Sequence, residues 1–238
     1  MPGDVSVYVR IRPPLAGEPR EAAATVLNKE TVRLEVARTA TVCEHGCDAA
    51  FGPHASQAEL FDGVARDVVD AVLAGVDGTV VAYGQTGAGK SHTLGVLEAP
   101  DHVERARDGV VPRALRRLFA ARPGEVVMSF LEIYDERVRD LLAPPRDAAE
   151  VERRRHDEAF SAKAPRPADI VEGLPVRENT RGGFEVEGLR AYAARDLAEA
   201  LDLVAYGLRR RATAATKLNA TSSRSHAILV VDAGGAAL

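Results

Sequence analysis

Residues 84–91, GQTGAGKS, constrain the fold of this chain more than any other stretch. They fit the pattern G-x-x-x-x-G-K-[ST], in which a glycine-rich turn wraps a triphosphate with its backbone N–H groups. The glycines are expected at positive φ, where the missing Cβ lets the backbone approach phosphate oxygens. A lysine then supplies charge for the β- and γ-phosphates, and the next hydroxyl suits Mg²⁺. The predicted nucleotide-binding residues are Gly84, Gln85, Thr86, Gly87, Ala88, Gly89, Lys90 and Ser91.

The residues on either side of this loop are typical of a strand–loop–helix unit. The run 79–83 is short, apolar and β-branched, which predicts a buried strand, and a helix is expected from about Lys90. A glycine turn without a ligand is the alternative interpretation, and the agreement of strand, loop and helix disfavours it. We therefore predict an α/β fold of the P-loop NTPase type, with a mostly parallel central sheet and helices on both faces.

Composition is typical of a soluble globular protein and disfavours several other classes. Of the 238 residues, 46% are hydrophobic and 28% are charged, which is ordinary for a soluble domain. The net charge of −4 carries no signature of nucleic-acid binding. No apolar run reaches the length of a membrane span, and the amino terminus lacks the apolar region of a signal peptide. We expect a cytoplasmic protein.

The two cysteines, Cys43 and Cys47, flank His45 in one short segment. Two thiols and a histidine this close suggest a metal site, but a closed zinc site needs four ligands and the sequence has no second cluster. We favour a solvent-facing loop that carries two reduced thiols.

Hydrophobic periodicity predicts the remaining elements. A stripe with three- and four-residue spacing predicts a helix over 57–73, with Ser56 as its cap. A second helix is expected over 195–211, and the arginines at 209–211 suit the negative end of its dipole. The other predictions are strands over 5–12, 126–134 and 227–231, a strand or hairpin over 26–36, a helix with Pro112 in its first turn, and short strands around a turn at Gly182 and Gly183.

Residues 144–169 predict a long flexible loop within the domain. They contain few large apolar side chains and carry proline, alanine and charges of both signs. We interpret the basic cluster at 153–156 as solvated, in preference to a site for an acidic partner.

Four motifs occur together and in one order along the chain. They are RIRP at 10–13, AYGQTGAGKSHT at 82–93, LEIYDERVRDLL at 131–142 and NATSSRSH at 219–226. Together they resemble the kinesin motor domain family, from Val5 to about Val231. The phosphate loop alone is shared by many nucleotidases, whereas YGQTGxGK combined with NxxSSRSH is specific. The resemblance implies a microtubule-stimulated ATPase that binds ATP and Mg²⁺, takes part in microtubule-based movement and is located in the cytoplasm at the cytoskeleton.

The resemblance also implies roles for individual residues. Arg10, Arg12, Pro13 and His92 would lie against the adenine base. The motif at 219–226 matches switch I, in which Ser223 would join Ser91 as a metal ligand and the hydroxyls would orient the attacking water. Arg224 of this motif would pair with a glutamate of switch II. The implied catalytic residues are Lys90, Asn219, Ser222, Ser223 and Arg224.

The sequence departs from kinesins after switch I. The family continues to a DLAGSE segment and to the helices that form most of the microtubule-binding face, and neither follows in this sequence. The segment DAGG at 232–235 fits the D-x-x-G of switch II, but it arrives one strand early and lacks the SE pair. We interpret it as a truncated or misjoined end, so residues 1–238 are expected to form the N-terminal part of a motor domain.

Two other functions stay open. One is a nucleotide-binding or interaction module without motor activity, because the switch II relay and the main track-binding elements are missing. The other is a P-loop enzyme of another type, such as a small-molecule kinase, which would make the switch I motif a coincidence. Cargo, direction of movement and oligomeric partners depend on neck and tail regions outside this sequence.

Overall fold

The computed structural model describes residues 5–18, 23–36, 39, 41–96, 105–122, 124–143, 171–179, 182–217, 225–234 and 238. The chain divides into two compact units, Met1–Asp67 and Val68–Leu238. The flexible loop predicted over 144–169 lies outside the described residues.

The first unit is built from short strands. They are β1 (Tyr8–Arg10), β2 (Ala24–Asn28), β3 (Thr31–Val36), β4 (Thr41–Gly46) and β5 (Ala49–Phe51). The strands β2, β3 and β4 form an antiparallel sheet, and β1 pairs in parallel with β5. The hairpin predicted over 26–36 is therefore confirmed. Cys43 lies in β4 as a free, exposed thiol, and the described residues contain no group of three or more metal-ligating side chains.

A continuous helical segment follows β5. It consists of α1 (Gln57–Leu60), a π-helical turn (Phe61–Ala65) and α2 (Arg66–Leu73), which crosses the boundary between the units. Ser56 caps it as predicted: its Oγ accepts from the Glu59 N–H at 3.1 Å, while its own N–H donates to the Glu59 carboxylate at 2.8 Å. The Ser56 N–H, and then the Ser56 hydroxyl, which donates to the same carboxylate at 2.9 Å, lower the pKa of Glu59. The predicted stripe is buried at Leu60, Phe61, Ala65, Val69 and Val72.

The second unit contains helices and a mixed set of strands. Its further helices are α3 (Lys90–Leu94), α4 (Val110–Ala121) and α5 (Leu197–Lys217). Its strands are β6 (Val126–Tyr134), β7 (Arg137–Asp140), β8 (Val171–Glu172), β9 (Val176–Glu178), β10 (Phe184–Val186), β11 (Tyr192–Ala194) and β12 (Ser225–Asp232). The strands predicted over 126–134 and 227–231 and the turn at Gly182 and Gly183 are confirmed.

The central strand of the second unit is β6. It pairs with β7, β11 and β12, and β7 pairs in turn with β8, all in antiparallel orientation. The fold class is α/β, for which the sequence predicts a mostly parallel central sheet. The described strand pairs of the second unit are all antiparallel. Among the described strands, the parallel pair is β1 with β5, in the first unit.

The prediction of a buried strand over 79–83 is wrong. None of the strands in the described ranges pairs with this segment, and it is assigned no regular structure. Val81 and Tyr83 are 78% and 99% exposed. A β-branched apolar run becomes a strand when neighbouring strands complete its hydrogen bonds, and no described strand supplies them here.

Helix α5 buries one face against β6. Leu201 and Val204 are fully buried, and Gly207 lies so close to Phe130 that an added Cβ would meet the ring at 2.2 Å. The helix extends to Lys217, so the arginines at 209–211 do not mark its end as predicted. Arg210 is instead buried and donates to the Tyr206 hydroxyl at 2.9 Å. No helix within the described ranges is long and apolar enough to cross a membrane.

Candidate nucleotide-binding site

The loop at 84–89 has the backbone that its glycines predict. Gly84, Gly87 and Gly89 take φ values of +153°, +82° and +97°. Side chains are strained in this region, so the three positions favour glycine. A Cβ at Gly87 would meet no atom within 4 Å, which shows that conformation, and not space, sets the requirement there.

Lys90 is folded back onto this loop. Its Nζ donates to the carbonyl oxygens of Gly84 at 2.6 Å and of Gln85 at 2.9 Å. The ammonium group is therefore held among oxygen acceptors at the turn that would receive a phosphate. Because an ammonium is a compact charge with three rotatable donors, phosphate oxygens can take the place of these carbonyls.

Helix α3 places Lys90 and Ser91 in its first turn. Gly89 precedes it, and the Thr93 N–H donates to the Gly89 carbonyl at 2.9 Å. Gly95 ends the helix at φ +74°, and the Val96 N–H donates back to the Ser91 carbonyl at 2.9 Å. This is the six-to-one bond of a glycine-ended helix, and it fixes the backbone of Ser91.

The RxRP residues lie in the first unit, whereas the phosphate loop lies in the second. Arg10 donates to the Gln57 Oε1 at 2.7 Å and to the Ala55 carbonyl at 3.4 Å, which ties β1 to the start of α1. Burial lowers the pKa of Arg10. Arg12 forms a two-point ion pair with Glu18 at 2.7 and 2.6 Å, and also donates to the Pro13 carbonyl.

The pKa of Glu18 gives a test of this ion pair. Hydrogen bonding from Arg12, and then from the Leu15 N–H, lowers the pKa of Glu18 from 4.5 to about 2. The stabilisation is therefore present above pH 4.5 and is lost as the pH falls through about 2. We expect the Glu18 carboxyl carbon to titrate near pH 2 by NMR, and Arg12→Ala to move the midpoint toward 4.5. A wild-type midpoint near 4.5 would contradict the pairing.

Most of the predicted switch I lies outside the described residues. This applies to Asn219, Ser222, Ser223 and Arg224. Ser225 is described, and its Oγ accepts from Arg211 Nη2 at 3.0 Å.

Arg211 links this serine to the central strand of the second unit. Its Nε donates to the buried carboxylate of Glu132 at 3.1 Å. The Nη1 of Arg139 lies 3.7 Å from Oε2 of the same carboxylate. The sequence carried one signal of this network: a lone acidic residue in the middle of the apolar strand β6 needs a cation when it is buried.

The described residues of the DAGG segment, 232–234, form a turn at the end of β12. The Asp232 carboxylate accepts from the Gly234 N–H at 2.8 Å, and Gly234 has φ +77°. Arg122 at the end of α4 donates to the Ala233 carbonyl at 3.1 Å. Asp232 is therefore a turn residue in this structure, and Gly235 lies outside the described residues.

The loop residues fit a nucleotide triphosphate with Mg²⁺. The residues Gln85, Thr86 and Gly87 are exposed to solvent. Lys90 contributes the cation, and Ser91 contributes a hydroxyl of the hard oxygen type that Mg²⁺ prefers. This donor set matches the chemistry of a phosphate site.

The fold and the loop together define a P-loop protein of the α/β class. The family model described as the kinesin motor domain matches residues 10–235. The chain therefore belongs to the kinesin motor domain family. The fold class and the family resemblance deduced from the four motifs are confirmed.

Individual relatives agree with this assignment. The chain is 34% identical to kinesin-like protein KIN-5C of Arabidopsis thaliana over 244 residues, covering 96% of this chain and 23% of that protein. It is 36% identical to a kinesin heavy chain of Gibberella moniliformis, covering 77% of this chain and 18% of that protein. The chain thus spans about a quarter or less of the length of these relatives.

A solved structure of a fast kinesin shows the same fold. That structure was described for its implications for ATPase mechanism and interactions with microtubules. The TM-score is 0.73 at 30% sequence identity, and the match covers 95% of this chain and 58% of that one.

Proposed function

We propose that this chain binds ATP with Mg²⁺ and is the nucleotide-hydrolysing part of a microtubule motor. The observation that carries the proposal is the loop at 84–91, with three glycines at positive φ and Lys90 held at the turn, in a chain of the kinesin motor domain family. The proposed partner is the microtubule, and the proposed location is the cytoplasmic cytoskeleton.

Each residue of the loop has a definite task in this proposal. The backbone N–H groups of 85–89 bind and orient the phosphates, and Lys90 releases its two carbonyl acceptors to neutralise the β- and γ-oxygens. Ser91 would hold Mg²⁺, which supplies further charge neutralisation when bound. Hydrolysis of a phosphoanhydride depends mainly on such positioning and neutralisation, so this loop supplies a large part of the chemistry.

The remaining roles rest on the family resemblance. They are a second Mg²⁺ ligand at Ser223, water orientation by Asn219 and Ser222, a latch at Arg224, and base contacts by Arg10, Arg12, Pro13 and His92. These roles stay predictions.

The proposal is tested by phosphate release from the full chain, measured with ATP and Mg²⁺ in the presence and absence of microtubules. We expect turnover that microtubules accelerate. Lys90→Ala should lower this turnover. Lys29→Ala is its matched control, because Lys29 is exposed on the turn between β2 and β3 and its loss should leave turnover unchanged.

Other outcomes would redirect the proposal. Tight ATP binding without turnover would overturn motor activity and support a nucleotide-binding module. Absence of ATP binding would overturn both functions.

A further inference from the structure

Two glycines bring the end of α3 into backbone contact with the start of α4. A Cβ at Gly109 would lie 2.3 Å from the Gly95 nitrogen and 2.4 Å from the Thr93 carbonyl oxygen. A Cβ at Gly95 would lie 2.5 Å from the Gly109 nitrogen and 3.1 Å from Pro112 Cδ. The two segments therefore meet backbone to backbone, with no room for a side chain between them.

Space, and not conformation, makes glycine necessary at position 109. Its φ of −87° and ψ of −155° are open to other residues. The atoms that an alanine would meet at 2.3–2.4 Å belong to the backbone of α3, so they cannot turn aside as a flexible side chain would. An alanine at position 109 must therefore displace α3 or α4.

The start of α4 is firmly held. The buried Asp108 carboxylate accepts from Arg116 Nη2 at 3.0 Å, and the Asp108 carbonyl accepts from Arg113 Nε at 2.8 Å. Arg117 pairs at two points with Asp70 of α2, at 2.5 and 2.7 Å. Several buried apolar residues add to these bonds: Val110, Pro112, Ala114, Leu115 and Leu118. These contacts hold helix α4 in place, so a Cβ added at position 109 would displace α3.

Helix α3 transmits such a displacement to the phosphate loop. It has five residues, so Thr93 and the capping Gly95 lie little more than one turn from Lys90 and Ser91. The Gly95 N–H donates to the His92 carbonyl at 3.1 Å, and the Val96 N–H donates to the Ser91 carbonyl at 2.9 Å. A displacement of Gly95 and Val96 would therefore move the backbone of Ser91 through the hydrogen bond between the Val96 N–H and the Ser91 carbonyl.

We infer that Gly109 is a positioning residue for the nucleotide site. Because Gly109 has no side chain, α3 can pack directly against the start of α4, and this packing determines the positions of Lys90 and Ser91. This inference rests on the proposed function. Gly109 touches no substrate and acts through Gly95 and α3. The fold thus uses the start of α4 as a support for the phosphate loop.

The test compares Gly109→Ala with Gly207→Ala. Both insert a Cβ into a tight contact, at 2.3 Å in the first case and 2.2 Å in the second, but Gly207 contacts the ring of Phe130 and not α3. The affinity of the full chain for mant-ATP with Mg²⁺ is measured at a temperature where circular dichroism shows each variant fully folded. We expect Gly109→Ala to lower the affinity by about tenfold, because small misplacements of binding groups carry large penalties, and Gly207→Ala to leave it unchanged.

A second variant keeps the inference testable if Gly109→Ala does not fold. Pro112→Ala removes the ring that faces Gly95 without adding a clash, and we expect a smaller loss of affinity in the same direction. Equal affinities for wild type, Gly109→Ala and Gly207→Ala would overturn the inference, as would an unchanged affinity in Pro112→Ala where it is the variant available. Failure of the wild type to bind mant-ATP would instead overturn the proposed function.

Discussion

Replacing Lys90 by alanine is expected to weaken ATP binding by roughly ten- to a hundredfold. Hydrogen bonds to charged groups contribute about 1.5–3 kcal/mol, and each 1.4 kcal/mol is tenfold in affinity. In the structure the Nζ of Lys90 already bonds two loop carbonyls, at 2.6 and 2.9 Å, so the ammonium lies at the turn that the phosphates would occupy. Titration with mant-ATP in the presence of Mg²⁺ measures the loss.

The same variant should fold almost as stably as the wild type. Lys90 is only partly buried and the Gln85 backbone is exposed, so water can satisfy the carbonyls that lose the ammonium. Lys90→Arg is expected to bind weakly as well, because a planar guanidinium does not replace a compact ammonium at a tight turn. The control Lys29→Ala should bind as the wild type does. An unchanged affinity in Lys90→Ala would contradict the assigned role of this lysine.

A large effect on stability is expected from Gly207→Ala. The added Cβ would lie 2.2 Å from Cδ1 and 2.8 Å from Cε1 of Phe130, which is itself buried in the centre of β6. Overpacking of this kind costs about 1–3 kcal/mol. In a chain of this size the loss corresponds to a Tm lower by roughly 2–12 °C. Thermal unfolding followed by circular dichroism measures it.

A double mutant identifies the cause of that loss. Phe130→Leu shortens the side chain that the new Cβ would meet, so adding it to Gly207→Ala should recover part of the lost stability. Gly52→Ala is the control, because a Cβ there meets no atom within 4 Å. Simple addition of the two destabilising effects would show that Phe130 is not the side chain in conflict with position 207.

Local patterns predicted those parts of the fold that depend on neighbouring residues in the sequence. The Ser56 cap, the apolar stripe that follows it and the strand β6 follow from spacing alone. The positive φ of Gly84, Gly87 and Gly89 follows from the phosphate-loop pattern. Each of these features is decided within a few residues, where propensity and periodicity are informative.

Features that join distant segments were not predictable in this way. The run 79–83 has the composition of a strand, yet strand formation depends on partners that the run itself does not specify. The contact of Gly95 with Gly109 depends on how two helices meet. The sequence position of Arg211 suggests an interaction with a helix dipole, whereas in the fold Arg211 pairs with Glu132, 79 residues away.

Calorimetric titration of the wild-type chain with ATP, with Mg²⁺ and then with the metal chelated, tests the nucleotide site most directly. The geometry at 84–91 predicts a single site per chain, with tighter binding when Mg²⁺ is present because Ser91 supplies a metal ligand. Absence of binding at millimolar ATP, or binding that Lys90→Ala does not weaken, would contradict the account.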